Sequence, residues 1–459
     1  MKKLFSNYQK RVYVIGLVCV FVSCKKQDAF LDVKPNDALT VPQDLNSLQT
    51  LLNNEGVFNI NDPVLQTLSA DEYWIPNDEY LSLTTAIEKN APLWLKDIYP
   101  GEVSVGDWNS PYQSIYYANT VLDALNKMSV SAEKEYLYNS IKGTALFYRA
   151  ISLFNIIQLF STPYDSLTSS KDLGVPLRLS SDLNVKTVRE TQEQCYRQVI
   201  SDLDSSISLL PQTSEYFTEP NKCSANALLA RVQLSLGNYK EAFNYADASL
   251  KLNNTIVDFN TIPPQSYTLA SSYLVEDIYH SVAYGTTITF FPFVDTVLYQ
   301  SYDSTDLRKT LFFIEYNGYY RFQGSYDVLK GYQYTGLATD EMLLTRAECS
   351  VRMGKLNEGM SDLNRLLINR YKTGRFTART ASDEITALNQ IILERKKELV
   401  FRNTRWLDLR RLNMDPRFAI TLTRNINGQT YNLPPNDPRY AMPIPDNEIS
   451  ISGIKQNNR

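Results

Sequence analysis

Two segments of this chain repeat the same spacing of small and acidic residues. In the first, Ala230 is followed by Gly237 and then Glu241, and in the second the same offsets lead from Ala347 to Gly354 and on to a glutamate. Small residues at helical spacing let two helices pack closely, and a glycine between them suits the left-handed conformation that ends a helix. The spacing therefore predicts stacked tetratricopeptide-like helix pairs and a mainly α-helical scaffold.

Apolar residues recur every three or four positions in four further segments, which we predict to be helical. These segments lie near 44–52 and at 108–125, 141–159 and 191–210. Residues 255–335 differ, because short β-prone runs alternate there with proline and other breakers. We predict an irregular, loop-rich insertion with one or two short β-hairpins in that region.

The N-terminus has the composition of a lipoprotein signal peptide. Basic residues precede an apolar run of eleven residues at 12–22, which is too short to span a bilayer. Ser23 and Cys24 resemble a bacterial lipobox, in which a small residue precedes the cysteine that is acylated. We expect residues 1–23 to be removed, Cys24 to carry lipid, and residues 24–43 to form a tether. An ordinary signal peptide with a chance cysteine is the alternative.

Charge and cysteine content exclude several classes of function. Without residues 1–23 the chain has 42 basic and 50 acidic side chains, whereas binding of nucleic acid needs a concentrated basic face. Beyond Cys24, the remaining cysteines are Cys195, Cys223 and Cys349, which lack the spacing of metal ligands. We predict buried free thiols, with one disulfide and one free thiol as the alternative.

Motifs of catalysis are missing from the sequence. It contains no nucleophile elbow, zinc motif, phosphate loop or dinucleotide fingerprint, and we expect no cofactor and no bound metal. The single histidine, His280, is predicted to be a loop residue and not a catalyst. Four carboxylates stand beside aromatic residues, and a glycosidase needs only two. They are Asp71, Glu72, Asp78 and Glu79. A solvated loop is the favoured interpretation, with sugar or calcium contact and catalysis as alternatives.

Aromatic residues outside the helical stripes are the candidate ligand contacts. A ring can stack on the apolar face of a pyranose while neighbouring polar side chains bind its hydroxyl groups. Trp108 and Trp406 fall on helical stripes and are predicted to be core. The candidate ligand-binding residues are Tyr73, Trp74, Asn77, Tyr80 and Trp94 in one cluster, and Tyr267 and Tyr273 in another. Packing in the core is the alternative for each of them.

A charged amphipathic stretch at 394–412 predicts two helices joined at a tight corner. Asn403 is the expected hinge, because asparagine tolerates the left-handed conformation that ends a helix. A new apolar run begins just beyond it, at Arg405 and Trp406. We predict that Arg405 and Asp408 tie this corner to neighbouring helices.

These residues together resemble the SusD/RagB family of Bacteroidetes. The resemblance runs in order over nearly the whole chain. In its N-terminal half the motifs are Cys24 followed by two lysines, Phe30-Leu31-Asp32, Tyr116…Ala118-Asn119, Gly174-Val175-Pro176-Leu177 and Ala227-Leu228-Leu229-Ala230-Arg231. In its C-terminal part they are Glu394-Arg395…Glu398-Leu399…Arg405-Trp406…Asp408-Leu409…Arg411 and Pro443-Ile444-Pro445…Glu448-Ile449. One departure occurs at Arg402-Asn403, where the family usually has Glu-Gly. The reversed charge puts in question any ion pair that the usual glutamate would make.

The resemblance implies a SusD-like fold and a lipid-anchored protein of the outer membrane that faces the cell exterior. It implies that the protein binds a glycan, or less often a peptide or other nutrient, for a SusC-like TonB-dependent transporter, without catalysis. We expect a signal peptide at 1–23, a tether at 24–43, an N-terminal helical region at 44–254, an insertion with candidate ligand loops at 255–335, and a C-terminal helical region with a proline-rich tail at 336–459. The alternatives are a surface glycosidase that uses loop carboxylates and a tetratricopeptide scaffold that binds only a protein partner.

Overall fold

Helices are the main regular elements of the structure, a computed structural model that describes residues 44–263, 269, 272–329 and 332–459. The predicted signal peptide, the predicted lipidation site Cys24, the predicted tether and Tyr267 lie outside the described residues. The fold is mainly α with several small sheets, which confirms the predicted class.

The helices are numbered in chain order. They are α1 (Leu45–Leu52), α2 (Glu55–Phe58), α3 (Leu65–Ser69), α4 (Asn77–Ser82), α5 (Ala86–Asn90), α6 (Gly106–Leu125), α7 (Glu135–Phe160), α8 (Gln192–Leu209), α9 (Lys222–Ser235), α10 (Tyr239–Leu252), α11 (Thr296–Gln300), α12 (Arg308–Leu311), α13 (Thr339–Arg352), α14 (Leu356–Leu367), α15 (Glu384–Glu398), α16 (Arg405–Leu412) and α17 (Asp446–Ser452).

The strands are short. They are β1 (Tyr73–Trp74), β2 (Leu173–Pro176), β3 (Arg189–Thr191), β4 (Asp277–Tyr279), β5 (Val282–Tyr284), β6 (Phe293–Val294), β7 (Phe313–Tyr316), β8 (Tyr319–Phe322), β9 (Tyr332–Tyr334), β10 (Leu337–Ala338), β11 (Leu422–Ile426) and β12 (Gln429–Leu433). Four of them form one sheet in the order β1-β6-β8-β7, and the others pair two by two.

Helices α6, α7 and α8 pack one against the next and form the N-terminal part of the core. The segment Ala132–Phe160, which contains α7, is long and apolar enough to cross a membrane, but 94% of its apolar window is buried inside the protein. It is therefore the central helix of this core. Helix α8 begins at a capping box in which the side chains of Thr191 and Gln194 each accept the other's backbone N–H.

The two predicted repeats are the helix pairs α9–α10 and α13–α14. Gly237 and Gly354, between the helices of each pair, have φ angles of 73° and 80°, which favour glycine. A Cβ atom on Gly359 of α14 would lie 2.6 Å from the carbonyl oxygen of Ala347 on α13, so the helices approach too closely for any side chain there. Helices α10 and α13 also pack together, so the two pairs stack despite the insertion between them.

Helices α15 and α16 meet at the predicted corner. Asn403 has a φ of 61°, which confirms the left-handed hinge, and Phe401, which was not predicted, has a φ of 57°. The Asp408 carboxylate of α16 lies 2.9 Å from Arg395 of α15. Arg405 instead binds Asp71, at 2.6 Å, in the loop before β1. Neither contact joins the corner to a neighbouring helix as predicted, because Asp408 ties the two helices of the corner to each other and Arg405 ties the corner to a loop.

Buried ion pairs surround this corner. The Glu398 carboxylate lies 2.8 Å from Arg308 and 2.7 Å from Arg370, and none of the three side chains has measurable exposure. Arg402, which departs from the family pattern, lies 2.7 Å from Asp340 and therefore has an ion pair of its own. Removing one partner of such a pair leaves an uncompensated buried charge, which makes the corner sensitive to substitution.

Two hairpins bring strands to one side of the helical scaffold. Strands β7 and β8 are joined by Asn317-Gly318, and β11 and β12 by Asn427-Gly428. Both turns have positive φ at both positions, as tight two-residue hairpins require. The first confirms the predicted hairpin in the insertion, whereas the second was not predicted.

The remaining predictions about the core concern thiols and tryptophans. Cys195, Cys223 and Cys349 are free and buried, as expected. Trp108 and Trp406 are also buried, which confirms that the helical stripes on which they stand face the core.

Candidate functional site

Trp74 is the central residue of the candidate site, and its place on strand β1 sets the direction in which its side chain points. Successive side chains of a strand point to opposite faces, so Tyr73 enters the core while Trp74 remains half-buried at the surface. The ring centroid of Trp74 lies 4.5 Å from the ring centroid of Tyr319 on β8 and 5.3 Å from that of Phe293 on β6. Tyr319 is 44% exposed, so these rings form an aromatic surface that a ligand can reach.

Tyr73 and Trp94 form the inner wall behind this surface. Their side chains are only 3% and 2% exposed. The Tyr73 hydroxyl donates to the Leu68 carbonyl, and the Trp94 indole N–H donates to the Ser69 carbonyl at 2.9 Å. Both side chains therefore have structural roles, and a ligand can meet them only at the bottom of the pocket.

The β11–β12 hairpin forms the opposite wall. Arg424 on β11 donates to the carbonyl oxygens of Tyr73, at 2.8 Å, and Ala70. At the hairpin tip, the Asn427 N–H donates to the side-chain oxygen of Asn77 at 3.0 Å. These bonds tie the hairpin to the segment that carries Trp74.

Together these walls enclose a pocket of 480 Å³. The residues that line it are 71, 73–75, 94, 295, 296, 319, 396 and 420–426. The volume is within the range of small-ligand sites. The pocket thus combines an aromatic surface with charged and hydroxyl side chains, the combination that recognises a sugar ring and its substituents.

Asn77 and Tyr80, two other predicted ligand residues, stand on α4 beside the pocket but do not line it. Asn77 is exposed, and its side chain supports the hairpin tip as described above. The Tyr80 hydroxyl lies 3.3 Å from the Lys89 carbonyl oxygen, to which it donates. In this structure Asn77 supports the hairpin wall, Tyr80 binds α5, and neither side chain lines the pocket.

Tyr273, the described member of the second predicted cluster, does not line this pocket. Its ring is 43% exposed and lies 5.4 Å from Phe217 and 4.6 Å from His280. The structure therefore does not place Tyr273 with Trp74.

Tyr319 and Arg424 were not among the residues predicted from sequence. Tyr319 follows the turn at Asn317-Gly318, and Arg424 precedes the turn at Asn427-Gly428. Asn-Gly between two runs of alternating apolar and polar residues is the strongest local signal of a hairpin. That signal could have located both hairpins, although not their meeting at one pocket.

Comparison with known proteins decides the family. A SusD-like family model described as starch-binding and associating with the outer membrane matches residues 29–234, and a SusD family model matches residues 339–458. Together they span well over half of the chain. The chain belongs to the SusD/RagB family.

Individual SusD relatives agree with this assignment. SusD-like protein P2 of Formosa agariphila is 24% identical over an alignment 381 residues long, which covers 67% of this chain and 71% of the relative. A SusD superfamily structure from Bacteroides thetaiotaomicron has a TM-score of 0.73 at 23% identity, with 90% of this chain and all of that chain covered. A laminarin-binding SusD-like protein has a TM-score of 0.62 at 16% identity, with 91% and 99% covered.

The carboxylates near the pocket of this SusD/RagB protein have different environments. Asp71 is held by Arg405 and Lys396, whose charges outweigh the effect of burial and lower its pKa. Glu72 is 1% exposed, and burial together with the charge of Asp71 raises its pKa to about 8. The prediction of a solvated loop is therefore wrong for these two residues. Asp78 is exposed on α4, and Glu79 pairs with Arg321.

His280 is buried in the SusD scaffold between two carboxylates. Its Nδ1 lies 2.5 Å from Asp277 and its Nε2 lies 2.9 Å from Asp327. Burial by itself would lower the pKa of the imidazole, but the hydrogen bonds and charges of these carboxylates outweigh it and raise the pKa to about 9. His280 is therefore a charged structural residue of the fold.

This geometry predicts a pH dependence of stability. The folded-state pKa of His280 lies above the ordinary value of 6.5, so its contribution is fully present below pH 6.5 and is lost as the pH rises through 9. We expect that contribution to be roughly 3 kcal/mol. Urea unfolding of wild-type protein and His280→Gln at several pH values measures it, because the variant lacks this component. Equal pH slopes for the two proteins would contradict the prediction.

Proposed function

We propose that this protein is a non-catalytic cell-surface lipoprotein that binds a glycan between Trp74 and the β11–β12 hairpin. The aromatic surface of Trp74 and Tyr319 above a pocket of 480 Å³ is the observation that carries this proposal. Two rings at this separation offer their faces or edges to a pyranose, and the polar pocket wall supplies partners for hydroxyl groups. The description of the matching family as starch-binding, and the laminarin-binding relative, support a saccharide as the ligand.

We further propose that Cys24 anchors the protein in the outer membrane by lipid, facing the exterior. In that position it would pass the glycan to a SusC-like TonB-dependent transporter. The lipobox-like Ser23-Cys24 and the basic, apolar leader support the anchor. The description of the family as associating with the outer membrane supports the location.

A panel of polysaccharides tests the binding proposal. Purified protein comprising residues 24–459, with Cys24→Ser to prevent acylation, would be run in affinity gels that contain neutral and acidic polysaccharides. We expect retardation by at least one of them and no release of reducing ends during incubation. Release of reducing ends would favour the glycosidase alternative.

The scaffold alternative has a different outcome. Capture of a TonB-dependent transporter from outer membranes of the native host, without retention by any polysaccharide, would favour a protein that binds only a partner. Retention by a polysaccharide together with capture of the transporter is the result that the proposed function predicts.

A further inference from the structure

Arg424 is a buried cation that has no carboxylate partner in the described part of the chain. The residue is 7% exposed, and no carboxylate oxygen of the described residues lies within 4.0 Å of its guanidinium nitrogens. Its two bonded nitrogens donate to the carbonyl oxygens of Tyr73 and Ala70, and its Nε is buried without an acceptor. The guanidinium carbon lies 4.1 Å from the Tyr73 ring centroid. These neutral partners leave the positive charge uncompensated.

Other buried arginines in the described part of the chain differ from Arg424. Almost all of them pair with a carboxylate, as Arg308, Arg370 and Arg402 do. Arg410 is the exception, but it donates to three carbonyl oxygens and does not line the pocket. Arg424 therefore combines two properties, a charge without a counter-ion and a position in the pocket wall.

Lys396 adds a second cation to the same wall. Its Nζ lies 2.9 Å from Asp71, but that carboxylate also receives Arg405 at 2.6 Å. Asp71 thus has two cations for one negative charge. Glu72, which follows it, adds no charge at neutral pH because burial and Asp71 raise its pKa to about 8.

Besides Asp71, a second carboxylate in the pocket wall opposes this positive charge. Asp295 lines the pocket, but its Oδ1 accepts the N–H of Leu298 at 2.9 Å and caps α11. Lys396, Arg405 and Arg424 together exceed Asp71 and Asp295 by one positive charge. A ligand with one negative group would balance it, whereas a neutral sugar would leave it unpaired.

We propose that the glycan held at Trp74 and Tyr319 is acidic, and that Arg424 and Lys396 bind its uronate carboxylate or sulfate ester. This inference rests on the proposed function and narrows its ligand class. Arginine suits such a group, because its planar guanidinium matches the oxygen geometry of carboxylates and sulfated groups.

Matched acidic and neutral probes test the inference. Oligogalacturonides would be compared with their methyl esters, and sulfated galactans with the same polymers after desulfation. We expect the acidic form of one pair to bind residues 24–459 about tenfold or more tightly than its neutral form, and that preference to shrink between about 50 and about 300 mM NaCl. The pair that discriminates identifies the group as carboxylate or sulfate.

Variants then assign the effect to the two cations. Arg424→Gln keeps an amide donor for the carbonyl oxygens, and Lys396→Gln leaves Arg405 on Asp71. We expect each variant to lose most of the preference for the acidic form, measured as the ratio of the Kd of the neutral form to that of the acidic form. Arg424→Lys should retain part of the preference. Arg417→Gln, a surface arginine outside the pocket, is the control and should behave as wild type.

Failure of this inference is distinguishable from failure of the proposed function. Equal affinity of the wild-type protein for acidic and neutral forms would overturn the inference and leave glycan binding intact. The same conclusion would follow if the variants lowered the affinity for both forms by the same factor. Binding of no polysaccharide would overturn both. Lys396 is partly exposed, and Asp71 keeps Arg405 as a partner when Lys396 is replaced. Lys396→Gln is therefore expected to fold and keeps the test decisive even when Arg424→Gln fails to fold.

Discussion

Arg402→Glu is expected to lower the free energy of unfolding by about 3–5 kcal/mol. Arg402 is 5% exposed, its Nη1 lies 2.7 Å from Asp340, and its guanidinium lies 3.6 Å from the Tyr326 ring centroid. The substitution would remove the cation from a fully buried aspartate and place a second carboxylate beside it. Like charges in a buried site repel strongly, because little water screens them.

Urea unfolding followed by circular dichroism measures this effect. Arg197→Glu is the matched control, because Arg197 forms an exposed ion pair with Glu193 and its reversal should cost less than about 1 kcal/mol. The double variant Arg402→Glu, Asp340→Asn should recover part of the loss, because it removes the repulsion. A loss for Arg402→Glu no greater than that of the control would show that the corner does not depend on this pair.

This prediction also bears on the departure from the family pattern. A glutamate is usual at this position, yet in this chain it would face Asp340. The structure therefore explains why the reversed charge at 402 is compatible with the fold. An arginine there has an ion-pair partner on the neighbouring helix α13.

Trp74→Ala is expected to weaken glycan binding by about 2 kcal/mol, or roughly 30-fold. The substitution removes the half-buried ring that packs at a tilt against Tyr319 and Phe293 and that contributes to the apolar face of the pocket. Aromatic residues of this kind contribute most of the energy at many binding sites. Isothermal titration with the saccharide that the wild-type protein binds measures the change in Kd.

Tyr319→Ala should have a similar effect, and the double variant should lose less than the sum, because the two rings are in contact. Tyr284→Ala is the control, since Tyr284 is 63% exposed and does not line the pocket. Thermal unfolding of each variant excludes a loss of fold as the cause. Unchanged affinity in both Trp74→Ala and Tyr319→Ala would exclude this pocket as the glycan site.

The local features of the fold could be predicted from sequence because residues close in the chain decide them. The left-handed turns at Gly237, Gly354 and Asn403 follow from side chains that tolerate positive φ. Trp108 and Trp406 fall on helical stripes, and such stripes face a core wherever helices pack. These determinants act over a few residues, so they hold before any long-range contact is known.

The site could be predicted only in part, because long-range packing decides it. Sequence reasoning proposed the cluster around Trp74 but could not distinguish Trp74 from Tyr73, since a two-residue strand leaves one ring half-buried at the surface and turns the other into the core, at the bottom of the pocket. Glu72 was expected in solvent, yet the helix corner packs over it and its carboxylate accepts the Phe401 N–H.

The sequence by itself determined the helix pairs, their turns and the family, since these follow from periodicity and from motifs that are local in the chain. Tertiary structure alone decided that Trp74, Tyr319 and Arg424, which come from three distant segments, share one pocket. It also decided that Arg402 meets Asp340 and that Arg424 meets no carboxylate among the residues that the structure describes. The physical reason is that contacts between distant segments depend on how whole helices and hairpins pack, which no short stretch of residues specifies.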